Sequence, residues 1–144
     1  MKPVIFRLQN LVGKTIVRIQ LEEHEWDRAI EGYIRIYYGK QQIPYVIYPC
    51  GFSQFAKQIQ TEQISVACYQ QDTLLLAIYK DTVKSRYWFG LWQGKDPTLP
   101  QTWHQASFFD FFSITVEIDL LMLNRLIQFL QRVDHIITPP WYST

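Results

Sequence analysis

Cysteine is scarce in this chain. Only Cys50 and Cys68 occur, and they form no CxxC pair. That excludes a disulfide-built scaffold and makes a reduced, cytoplasmic setting the expectation. Long apolar runs are missing as well. Arg7 interrupts the opening run before it could serve as a signal core, and no stretch approaches the ~18 residues that span a bilayer. No membrane insertion is expected. Charge of one sign is also lacking: 14 Lys and Arg stand against 13 Asp and Glu, a formal net charge of +1. A dedicated duplex-DNA binder carries a basic excess, so phosphate contacts here would need a local patch.

Sites of known chemistry are missing too. The six glycines are scattered, and neither GxGxxG nor GxxxxGK[ST] occurs, which excludes a P-loop enzyme. There is no GxSxG elbow. His24, His104 and His135 lie in separate segments with no HxH or HExxH spacing, so no metal and no cofactor is expected. The acidic cluster Glu22-Glu23-His24-Glu25 reads as a solvated turn. One catalytic arrangement can be written down, with Cys50 in the Pro49–Gly51 turn as nucleophile and His104 as its base, backed by Asp110. A free cysteine is more often a small buried hydrophobe. No catalytic residue is assigned.

What the chain has in excess is aromatics. Nine Tyr, nine Phe and five Trp make 16% of it, within a hydrophobic fraction of 48%. Such residues favour half-buried sheet faces, and they also favour binding surfaces. No repeat or Gly/Ser linker divides the sequence, so residues 1–144 are read as one domain.

Residues 4–8 and 14–21 alternate as strands, the second with Val17, Ile19 and Leu21 on one face and Arg18 and Gln20 on the other. Residues 26–38 fit both a helix and a strand. Gly32 disfavours the helix by about 1 kcal/mol, and the Ile/Tyr content selects a strand over 29–38 after a loop at 22–25. A strand over 43–48, held to an edge by Pro44, leads into a short helix capped by Ser53. Residues 64–69, 73–80 and 86–92 read as a three-strand meander. The Gly94–Pro100 loop and a strand over 113–118 follow. The last element is an amphipathic helix capped by Asp119 and stopped by Pro139-Pro140, with Leu123, Leu126, Ile127, Leu130, Val133 and Ile137 along one side. The fold class is therefore α+β, mainly antiparallel β: a curved sheet or partial barrel closed by a C-terminal amphipathic helix. This order of elements resembles that of the pleckstrin-homology-like barrels. No sequence motif accompanies the resemblance, and no function follows from it.

Three stretches could bind. In Lys84–Trp92, Tyr87, Phe89 and Leu91 point one way and Trp88 and Trp92 the other, so the strand is covered on both sides or opens an aromatic face. Coverage is expected, with the C-terminal helix as the cover. In Tyr33–Lys40, Tyr33, Arg35 and Tyr37 share a face, where rings and cations together could stack bases and hold phosphates. The run Trp103–Phe112 either docks a partner through Phe108 and Phe109 or folds inward as a short helix or strand. The Pro139–Tyr142 tail, with Trp141 and Tyr142, suits docking. The leading reading is a non-enzymatic binding or adaptor module with a protein partner, or a second copy of itself, held through Trp88, Trp92, Phe108, Phe109, Trp141 and Tyr142. The alternative is a single-strand nucleic-acid binder using Arg35, Tyr37, Lys84, Arg86 and Trp88. A small Cys/His enzyme comes third.

Overall fold

The computed structural model describes residues 4–26, 29–39, 45–47, 51–69 and 73–136; for residues 22–26, 29–33, 45–47 and 134–136 it describes the backbone alone. Two four-stranded antiparallel sheets carry the fold, each a simple meander. The first contains β1 (Val4–Gln9), β2 (Thr15–Trp26), β3 (Ala29–Tyr38) and β4 (Tyr45–Ile47), followed by helix α1 (Phe52–Thr61). The second contains β5 (Ile64–Tyr69), β6 (Leu74–Asp81), β7 (Arg86–Gln93) and β8 (Ile114–Ile118), followed by α3 (Leu120–Ile136). A short helix, α2 (Gln105–Phe111), interrupts the link between β7 and β8. The α+β, mainly antiparallel class is as the sequence implies. The strands form two open sheets and do not close into a barrel.

Strand-strand-strand-strand-helix thus occurs twice, a repetition of architecture that no sequence period announces. The two helices pack against each other between the sheets' inner faces, and each leans on the first strand of the other half. Phe129 of α3 stacks on Phe6 of β1 with ring centroids 5.1 Å apart. Phe52 of α1 stacks on Tyr69 of β5 at 4.9 Å. One continuous buried cluster draws Leu8, Ile19 and Ile36 from the first sheet, Leu76, Phe89 and Val116 from the second, and Ile59 and Leu126 from the helices. Each such side chain contributes about 1.5–3 kcal/mol by leaving water.

Local chemistry explains most boundaries. Asp119 accepts from the Met122 amide at 2.8 Å and opens α3 as expected. At α1 the cap is Gly51 in a left-handed conformation (φ 82°), with no side-chain cap, and the helix opens at Phe52; Ser53 does not cap it. Residues 22–25 are strand, not loop. Antiparallel pairing of Glu23 with Gly32 and His24 with Glu31 carries β2 through the acidic run, so ladder hydrogen bonds outweigh its polarity. Residues 29–38 form a strand, as Gly32 and the Ile/Tyr content imply. Among the described residues no helix is long and apolar enough to cross a membrane.

Candidate functional site

Because side chains alternate across a strand, each sheet has an inner and an outer face, and the two outer faces differ. On the second sheet, Leu75, Ala77 and Tyr79 of β6 and Trp88 and Trp92 of β7 face away from the main core and form a cluster of their own with α2. The expectation that β7 is covered on both sides holds. The cover on its outer side is α2, while the C-terminal helix packs on the inner side.

Helix α2 is fixed by a reciprocal cap. The Ser107 amide donates to His104 Nδ1 at 3.3 Å, and the His104 amide donates to Ser107 Oγ at 2.9 Å. That cap occupies the ring nitrogen which a catalytic reading would need as a base. Cys50, its supposed partner, lies outside the described residues. From α2, Phe108 reaches down to Tyr79 at 5.6 Å, and Phe109 meets Trp88 edge-on at 5.3 Å. Phe111 stacks on Trp92 at 5.5 Å, and Phe112 stacks on Trp103 at 5.6 Å. Gly90 is what lets the helix come so close. A Cβ there would stand 2.9 Å from the Phe112 ring and 3.1 Å from that of Phe108. Phe108 is fully buried, whereas Trp88, Trp92, Trp103 and Phe109 keep their margins in solvent. Burial also raises the Tyr79 hydroxyl above its ordinary pKa, with Asp81 adding to the effect.

Of the residues singled out for nucleic acid, Arg86 sits on this second sheet and Lys84 in its β6–β7 turn. Arg86 pairs with Glu117 on β8 through Nη2 at 2.5 Å, and its guanidinium lies 4.8 Å from the Trp88 ring centre. The hydrogen bond to Glu117 pushes its pKa up further. Arg35 and Tyr37 are on the first sheet, so the four do not converge. Trp141 and Tyr142 lie outside the described residues.

The outer face of the first sheet is built otherwise. Arg7, Arg18 and Tyr37 stand abreast on β1, β2 and β3, in direct register. One step along, Ile5, Gln20 and Arg35 form the next row. The Arg18 guanidinium lies 4.2 Å from the Tyr37 ring centre, a cation–π contact. Its Nε is buried with no hydrogen-bond partner among the described residues. Lys14 is brought alongside by the β1–β2 turn, where the Asn10 carboxamide oxygen accepts from the Val12 and Lys14 amides at 3.1 and 3.0 Å and Gly13 takes a positive φ of 81°. Together Arg7, Lys14, Thr15, Ile16, Arg18, Tyr37, Tyr38 and Gly39 line a groove of about 520 Å³. Three of those side chains are cations and none is an acid. Arg7 and Tyr38 are exposed; Arg18 and Tyr37 are half-buried.

Sequence reasoning found Tyr37 and placed Arg18 on the outward face of its strand, but it did not assemble this groove. Arg7 and Lys14 come from segments that carry no signal alone; strand pairing gathers them. Among the described residues, no three His, Cys, Asp or Glu side chains gather as a metal site. The chain matches no protein-family model, no curated protein and no solved structure.

Proposed function

We propose that this protein is a non-enzymatic binding module, and that it holds single-stranded nucleic acid on the outer face of its first sheet. The observation that carries the reading is the Arg7–Arg18–Tyr37 row with Lys14 beside it, three cations and two tyrosine rings in one groove with no carboxylate among its described lining residues. A strand's phosphates and bases ask for that pair of chemistries: cations along the backbone and rings or guanidinium planes for stacking. Near-neutral net charge is compatible with such a role, because the basic groups are concentrated. The cytoplasmic setting fits the scarcity of cysteine.

The test is fluorescence anisotropy of a labelled oligo(dT), titrated at several salt concentrations. With three phosphates neutralised, log affinity should fall against log salt with a slope of about −2. Affinity indifferent to salt, or no binding at low salt, removes the reading.

A protein partner, or a second copy of the chain, is the second reading. It is favoured by the half-exposed margins of Trp88, Trp92 and Phe109 beside exposed Arg86. Trp88→Ala and Phe109→Ala should then weaken association without unfolding the chain; a strictly monomeric protein with no partner contradicts it.

A further inference from the structure

A separate groove of about 530 Å³ opens between the C-terminal end of α1, the β6–β7 turn end of the second sheet, and α3. Such a volume lies within the range of small-ligand sites, about 300–1,000 Å³. Among the described residues that line it, the one formal charge is Lys80. Lys80 has the same alternation parity as Leu76 and Ile78 and pairs across the ladder with Tyr87, so it stands on the inner, helix-facing side of the second sheet. There its side chain is half-buried. Partial burial lowers its pKa, and Glu62 offsets this only in part. Among the described residues no carboxylate forms an ion pair with it. The apolar part of its lining is the exposed Leu120 with the edges of the nearly buried Leu123 and Ile127, and the rest is polar, including Asn124, Gln128 and Gln131.

We infer that this groove is a binding site for an aliphatic carboxylate, whose head pairs with Lys80 and whose chain lies against Leu120, Leu123 and Ile127. A monoanion answers a single ammonium, the aliphatic wall answers an alkyl chain, and the amide rim can donate to the remaining carboxylate oxygen. This inference is independent of the nucleic-acid reading, since the two grooves share no residue.

Isothermal titration with octanoate, octanol and octylamine tests it on the wild type, on Lys80→Met and on Leu120→Asp. Octanoate should bind at least about tenfold more tightly than the other two, the margin of one charge-assisted pairing. Lys80→Met should abolish that preference. Leu120→Asp, at an exposed position, should weaken octanoate about tenfold while leaving the thermal midpoint in place; it decides the matter if Lys80→Met does not fold. Equal binding of octanoate and octanol overturns the inference. So does an octanoate affinity that Leu120→Asp leaves unchanged, or no octanoate binding at millimolar concentration.

Discussion

Two sheets with the same strand order face solvent in opposite ways. Between β7 and β8 the chain inserts residues 94–113, and α2 within that insertion lays Phe108 and Phe112 onto the outer face of the second sheet. Between β3 and β4 only residues 39–44 intervene. The outer face of the first sheet carries Arg7, Arg18 and Tyr37, groups that tolerate water, whereas that of the second carries Leu75, Tyr79 and Trp88. An amphipathic strand can leave its polar face open, but a strand apolar on both faces must be roofed. The difference teaches that abundant aromatics need not mean an aromatic binding surface. Here most of the described Phe and Trp rings are employed inside one core or the other.

That comparison can be broken in several places. The largest effect should come from Phe108→Ala, which removes the fully buried anchor of α2; a loss of about 3–5 kcal/mol in urea-denaturation stability is expected. A loss below about 1 kcal/mol would mean that α2 rests on the sheet without sealing it. Gly90→Ala comes next. Its new methyl group would press on Phe112 and Phe108, with an expected cost of about 1–3 kcal/mol by the same assay. On the open face the pattern should invert. The triple change Arg7→Gln, Lys14→Gln and Arg18→Gln should move stability by less than about 1 kcal/mol, yet bring the salt slope of oligonucleotide binding close to zero. Smallest of all should be Arg86→Ala, which breaks an exposed pairing with Glu117; its thermal midpoint should stay nearly that of the wild type.

Much of the fold was legible because the physics behind it is local. The alternation of residues 14–21 marks β2, and the 3.6-residue period with Asp119 marks α3, while the two prolines expected to stop it lie outside the described residues. Residues 22–25 misled because four polar residues look like a turn until a partner strand offers its ladder. Helix α2 was harder. Its seven residues are too few to show a period, and its cap uses a histidine in place of the usual Ser, Thr, Asp or Asn. Ser53 misled in the other direction, because a left-handed Gly51 opened the helix without any side-chain cap. The basic groove was legible only in pieces. Arg18 and Tyr37 each declare an outward face by alternation, but their contact and the arrival of Arg7 and Lys14 depend on register among three strands, which no single segment encodes.

The division of labour between the two outer faces is most directly tested by mapping chemical-shift changes in the labelled protein as a single-stranded oligonucleotide is added. The response should fall on Arg7, Lys14, Arg18 and Tyr37, and the indole signals of Trp88, Trp92 and Trp103 should stay still. Shifts centred on those indoles, with the first sheet silent, would contradict the account.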